Sequence, residues 1–201
     1  SATDREAGAR ESLLLVLTLG GWVCVYQGEE LGLPQADIDY EELTDPRGIR
    51  FWPEDKGRDG CRTPMPWTAG APPNGFTAGH PWLPVKPPHD RLSVETQQSD
   101  PASMLAFYRQ ALAWRRAQTT LRDGDIAFLP TPAPVLAFRR TGAGASLLCV
   151  FNLSPEPLRL ALAGTFVGAV LDPLSQGAEI AGEALLLSGS AAAVLHEAAA
   201  R

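Results

Sequence analysis

The sequence predicts an α/β segment followed by an all-β segment, and three observations carry that prediction. Residues 23–26, Val-Cys-Val-Tyr, form an apolar run without alternation that breaks off into the polar Gln27-Gly28-Glu29-Glu30. Such a run reads as a strand buried on both faces, as in a parallel sheet. A helical pattern immediately precedes it. From Thr119 onward short apolar runs alternate with turn residues, which is the signature of antiparallel β-structure. The polar burst falls at the C-terminal end of the buried strand, where the loops of α/β folds converge on ligands. Gln27 and Glu29 are therefore candidate binding residues. Glu29 and Glu30 are adjacent and point differently on a turn, so they do not make an acid/base pair.

Thr3-Asp4-Arg5-Glu6 fits a capping box that opens the first helix. Leu13, Leu14, Leu15, Val16, Leu17 and Leu19 give this helix a buried end, and Gly20-Gly21 stops it. Helix, glycine turn and buried strand together make the αβ half of a βαβ unit. Residues 31–99 carry many of the 18 prolines, a density that excludes a long helix or a central strand. At most a helical turn or two is expected over Ile38 to Leu43. The aromatic residues Phe51, Trp52, Trp67, Phe76 and Trp82 argue against disorder. They pin the loop onto a scaffold or line a sugar site. Asp100 as N-cap and Pro101 at the first helical position open a second helix. Met104, Phe107, Tyr108, Ala111 and Leu112 recur at helical spacing and read as core packing, with Arg115 and Arg116 at the negative end of the dipole. Beyond it, apolar runs at 126–129, 135–139, 147–153, 158–162, 169–171, 185–187 and 193–195 are divided by turn signals such as Gly142-Ala143-Gly144. They predict an antiparallel β-sandwich of about seven strands.

Composition narrows the function classes. A net charge of −6 leaves no basic surface for nucleic acid. Residues 13–19 are too short to span a bilayer, and the polar start is not a signal peptide; a cytoplasmic protein with no membrane partner is expected. Cys24, Cys61 and Cys149 are odd in number and widely spaced, giving neither a disulfide framework nor a metal pattern. The acidic run Asp37, Asp39, Glu41, Glu42 and Asp45 lacks the spacing of a calcium loop and reads as a solvated face. No metal or cofactor is expected. The chain opens on Ser-Ala-Thr rather than Met, which suggests a piece of a longer protein.

Three strings carry a resemblance: Tyr26-Gln-Gly-Glu-Glu-Leu-Gly32, Gly57-Arg-Asp-Gly-Cys-Arg-Thr-Pro-Met-Pro-Trp67, and Gly75-Phe-Thr77 with His80-Pro-Trp-Leu83. In this order they resemble the α-glucosidase and oligo-1,6-glucosidase branch of the α-amylase superfamily, along nearly the whole chain. The resemblance implies the C-terminal end of a (β/α)8 TIM barrel, with its last helices, last strand and long strand-8 loop, over residues 1–118. An antiparallel β-sandwich domain follows over 119–201. It implies retaining hydrolysis of terminal α-linked glucose in short oligosaccharides such as maltose or isomaltose, by two carboxylates flanking the bond. A third carboxylate holds the sugar. In the family these acids end the fourth, fifth and seventh barrel strands, and the chain resembles the part after the seventh. No catalytic residue is then expected in this chain, and the missing N-terminal barrel portion would be its partner. By the same resemblance Arg58 grips the non-reducing-end glucose, a task suited to a planar, permanently charged fork of donors. Arg62 is expected to brace the loop. Alternatives are an α-glucosyl transferase or a maltose/trehalose isomerising enzyme of the same superfamily, or, in another class, a non-catalytic glucosidase-like scaffold.

Overall fold

The computed structural model describes residues 2–142, 145–162 and 166–197; positions 143 and 144 of the expected glycine turn lie outside them. The described elements are α1 (Ala2–Thr18), α2 (Pro46–Phe51), α3 (Val94–Gln98), α4 (Met104–Ala117), α5 (Thr119–Asp123), β1 (Asp125–Leu129), β2 (Val135–Gly142), β3 (Ala145–Asn152), β4 (Leu158–Ala161), β5 (Val170–Leu171), β6 (Gln176–Ala181) and β7 (Ala184–His196). They fall into two compact units. One comprises Ser1–Cys24 with Arg109–Arg201, the other Val25–Tyr108.

The first unit is an antiparallel sheet against which α1 and α5 pack. Its strands run β1-β2-β3-β7-β4, and β5 and β6 also pair with β7. One half of β7 lies between β4 and β6, with Leu187 opposite both Leu158 and Ala178. The other half pairs with β3 and β5, with Leu195 opposite Leu148 and Leu171. The runs at 185–187 and 193–195, expected as separate strands, are thus one strand. Ser190 takes a positive φ of 52° between them, and its N–H donates to Ser154 O at 2.9 Å. Gly189 sits there because a Cβ would meet Pro155 O at 2.0 Å. The seven strands consequently join in one hydrogen-bonded sheet. Val135, Ala137, Leu148, Val150, Leu185, Leu187, Ala191, Ala193 and Leu195 close into a single core. Strand β6 was not expected: its alternation in Gln-Gly-Ala-Glu-Ile-Ala is too polar to stand out.

Helix α1 packs on β7 and β3, burying Leu13, Leu14 and Leu17. The expected capping box does not form. Thr3 lies inside the helix, and Glu6 pairs instead with Arg10 one turn on, at 2.6 Å. The C-terminal end of α1 is capped by two guanidiniums from distant sequence. Arg140 on β2, 1% exposed, donates to Thr18 O at 2.6 Å and to the carbonyls of Thr120, Leu121, Gly124 and Asp125. Arg115 on α4 donates to Leu17 O and to Gly21 O. A buried cation needs partners, and here orphan helix-end carbonyls with their partial negative charge supply them. Burial lowers the pKa of both arginines.

Residues 23–27, expected as a buried parallel strand, form no strand: 23–26 lack regular structure, Gln27 enters a turn, and Val25 and Tyr26 are exposed. A strand needs a neighbour to satisfy its backbone, and every described strand pairs within the antiparallel sheet. The second helix starts three residues later than its Asp-Pro signal. Asp100 caps a turn by accepting from Ala102 N, and Ser103 Oγ accepts from Ala106 N as the cap of α4. Met104, Phe107, Tyr108 and Ala111 are buried as expected, whereas Leu112 is exposed. The expected turn over 38–43 is a short 3-10 helix at Tyr40–Glu42. No helix among the described residues is long and apolar enough to cross a membrane.

Glu11 on α1 is 6% exposed, and its Oε1 has no hydrogen-bond partner among the described residues. Burial pushes its pKa up to about 7. The folded state therefore holds this proton where the unfolded chain has released it. The contribution is complete below about pH 4.5 and is lost as pH rises toward 7. Glu11→Gln should remove this dependence and raise stability at pH 8 by about 2–3 kcal/mol. Denaturant unfolding of both forms at pH 4.5 and 8 checks it.

Candidate functional site

The unit Val25–Tyr108 is built from loops pinned by two small apolar clusters, Ala36, Ile38, Leu43 and Leu83 with Trp52, and Leu31, Met65 and Leu105 with Leu33, Phe76 and Val94. On them sits the Gly57-Arg58-Asp59-Gly60 turn, and each of its residues has a distinct physical task. Asp59 is 2% exposed. Its carboxylate accepts from Thr44 N at 2.6 Å, Asp45 N at 2.7 Å and Thr44 Oγ1 at 3.1 Å. Gly57 takes φ 68°, and a Cβ there would meet Gly48 N at 2.8 Å and Asp45 Oδ2 at 2.9 Å. Gly60 donates no side chain because its Cβ would lie 2.3 Å from Ala36 O; its own carbonyl accepts from Ala36 N at 2.9 Å.

Asp45 is the second buried carboxylate of the turn. It caps α2 through Arg47 N at 3.1 Å, with Pro46 at the favoured first position. Its other oxygen accepts from Arg58 N at 2.9 Å and Arg58 Nε at 3.3 Å. The N–H groups of Arg47 and Arg58, then the Arg58 guanidinium, hold its pKa below the ordinary carboxylate range. Asp55 reinforces the turn, accepting from Gly57 N at 2.9 Å and pairing with Arg47 at 2.6 Å. The result is a backbone locked by carboxylates from which one side chain projects. Arg58 is held at Nε, its side chain is 64% exposed, and its remaining N–H groups have no partner among the described residues. A guanidinium fixed at one edge and open at the other can donate to two neighbouring hydroxyls.

The other expected residues are placed as follows. Gln27 is exposed, and its Nε2 donates to Thr63 O at 3.0 Å. Glu29 is exposed and accepts from the Tyr108 hydroxyl at 3.4 Å; burial first, and then this carboxylate, push the Tyr108 pKa upward. Glu30 turns back to its own loop and accepts from Gly28 N at 2.7 Å. No hydrogen bond joins Arg58, Gln27 and Glu29 to one another among the described residues. Arg62 braces the loop through its own carbonyl, which accepts from Trp82 Nε1 at 3.1 Å; among the described residues its side chain makes no hydrogen bond to a carbonyl or carboxylate, the bracing expected of it. Of the aromatics, Trp52 and Phe76 are pinned into the clusters, while Trp67 and Trp82 remain exposed.

The acidic run is charge-paired. Asp37 meets Lys56, and Lys86 takes both Asp39 at 2.8 Å and Glu42 at 2.5 Å. Among the described residues no three His, Cys, Asp or Glu converge on a metal position. Cys24 and Cys61 are exposed free thiols, and Cys149 is a buried one.

One contact had no signal in the sequence. His89 is 1% exposed. Its Nε2 lies 2.6 Å from Pro34 O and its Nδ1 lies 3.1 Å from Thr63 Oγ1. Asp45, expected on a solvated acidic face, is instead 4% exposed, and the Asp45-Pro46 pair that caps α2 is the local signal that could have marked it.

The sequence matches the family described as alpha amylase, catalytic domain, over residues 1–124. The chain belongs to the α-amylase family. Within that family it is 47% identical over 154 residues to a probable alpha-glucosidase of Rhizobium meliloti, covering 77% of this chain and 28% of that protein. It is 31% identical to a probable oligo-1,6-glucosidase of Bacillus subtilis, covering 76% of this chain and 30% of that protein. Among solved structures, an alpha-glucosyl transfer enzyme superposes with a TM-score of 0.89 at 47% identity, covering 96% of this chain and 36% of that one. The chain thus spans about a third of the length of these relatives. Its helices followed in sequence by an antiparallel sheet are consistent with the C-terminal end of the α-amylase barrel and the β domain that follows it.

The locked turn predicts how it fails. Gly60→Ala should destabilise the Val25–Tyr108 unit by about 2 kcal/mol or more, since backbone rather than a flexible side chain must move. Thermal unfolding of the complete protein, followed by tryptophan fluorescence, checks it.

Proposed function

We propose that this chain is the sugar-holding wall of a cytoplasmic α-glucosidase that removes terminal α-linked glucose from short oligosaccharides such as maltose or isomaltose by a retaining mechanism. The observation that carries this reading is Arg58, an exposed guanidinium whose backbone and Nε are fixed by buried Asp45 and whose turn is fixed by buried Asp59. A scaffold without a ligand has no use for a cation held this rigidly and left open. The family assignment supplies the class of ligand, an α-glucoside.

In this reading residues 1–118 close the barrel and residues 119–201 form the separate β domain. The nucleophile and the acid come from barrel strands outside the chain. The enzyme displaces the aglycone with a carboxylate, and water then releases glucose. Arg58 donates to two adjacent hydroxyls of the terminal ring and blocks the pocket behind it, which limits cleavage to chain ends. Gln27 and Glu29 stand at the mouth as further polar contacts. A second reading is favoured by the alpha-glucosyl transfer enzyme at 47% identity: the same grip serves transfer to a sugar hydroxyl when an acceptor outcompetes water.

In the complete enzyme, Arg58→Ala should lower kcat/KM on maltose by about 2–4 kcal/mol of transition-state binding, with a smaller loss of thermal stability because Asp45 keeps its two backbone donors, and Arg58→Lys should recover only part of the activity because a point charge cannot replace the fork. Steady-state kinetics decide it, and near-normal kinetics in the alanine variant would refute the grip. Product analysis with excess maltose separates the two readings: glucose alone means hydrolysis, and trisaccharide means transfer.

A further inference from the structure

We propose that His89 is a positioning residue for substrate binding, acting through Thr63 on Gln27. The inference rests on the reading that Gln27 contacts sugar at the barrel mouth. His89, Thr63 and Gln27 lie apart in sequence but are linked by two hydrogen bonds that meet at Thr63, one at its hydroxyl and one at its backbone carbonyl, and their direction is fixed by chemistry. Pro34 O can only accept, so His89 Nε2, 2.6 Å away, carries the proton. In the neutral ring Nδ1 is then an acceptor, and Thr63 Oγ1 donates to it at 3.1 Å. That bond holds Thr63, 4% exposed, in place. The carbonyl of the same residue accepts from Gln27 Nε2 at 3.0 Å. Because that partner is again a carbonyl, the Gln27 amide has one allowed orientation. One N–H of Nε2 is used in this bond, and Oε1, on an exposed side chain, has no partner among the described residues.

Gln27 is therefore a pre-set acceptor rather than a freely rotating amide, and it recognises a ligand hydroxyl that donates. The guanidinium of Arg58, four residues before Arg62 on the same loop, is its donor counterpart, which recognises hydroxyls that accept. The polarity of the two groups suits a sugar ring, whose hydroxyls do both. Fixing the amide in advance removes an ordering cost at binding, so the relay acts on affinity and not on the chemical step.

A double-mutant cycle in the complete enzyme, with maltose as substrate, tests the relay. Gln27→Leu and Thr63→Val should each raise KM about tenfold with kcat changed less than twofold. The double variant should be no worse than Gln27→Leu alone, and Thr63→Ser should restore KM. If Thr63→Val does not fold, His89→Gln, which keeps a donor toward Pro34, replaces it in the cycle with the same expectation. Normal KM in Gln27→Leu would overturn the sugar contact itself and the relay with it. A raised KM in Gln27→Leu combined with additive effects in the double variant, or with normal KM in both Thr63→Val and His89→Gln, would overturn the relay and leave the contact standing.

Discussion

The geometry of the candidate site depends on one buried carboxylate. Asp59 accepts three hydrogen bonds from Thr44 and Asp45, and in doing so ties the Gly57–Gly60 turn to a segment fourteen residues upstream. Asp45, fixed in turn, holds Arg58 by backbone and side chain. A carboxylate taken out of water needs such donors, and the donors need it, because the backbone N–H groups of Thr44 and Asp45 would otherwise be orphaned. The glycines on either side are present because nothing larger fits. Charge burial therefore produces local rigidity, and rigidity gives an exposed cation a defined direction.

The same logic recurs in the other compact unit with the signs reversed. Arg140 is a buried cation that forms no ion pair among the described residues; the C-terminal carbonyls of α1 and α5 take that place. Both units thus use a buried charge to bind together segments remote in sequence, where a hydrophobic cluster alone would fix proximity but not register. The apolar clusters described in the loop unit are small, so polar knots carry more of its specification than they do in the β-sheet core.

What was legible in the sequence follows from how local each signal is. The strong apolar runs of β2 and β3 gave strands because their burial is high on both faces of the sheet. Strand β6 was missed because its residues alternate between half-buried and exposed. Strand β7 looked like two strands because Ser188-Gly189-Ser190 has the composition of a turn, whereas here it is a kink inside one ladder. Residues 23–27 have a strand's composition, but strand formation is a property of pairs, and a single stretch carries no information about its neighbour. At the site, Arg58 was legible through its motif, whereas Asp45 read as part of a solvated acidic run although it is the buried cap of α2. The partnership of His89 with Thr63 spans 26 residues and leaves no periodicity or spacing to read.

The central claim is that this chain holds the sugar while carboxylates from outside it perform the cleavage. A crystal structure of the complete enzyme with glucose bound tests it most directly. The account predicts Arg58 within about 3 Å of two neighbouring hydroxyls of the terminal ring, with no carboxylate of this chain at the anomeric carbon. A structure in which Arg58 turns away from the ring, or in which an acid of this chain lies against the anomeric carbon, would contradict it.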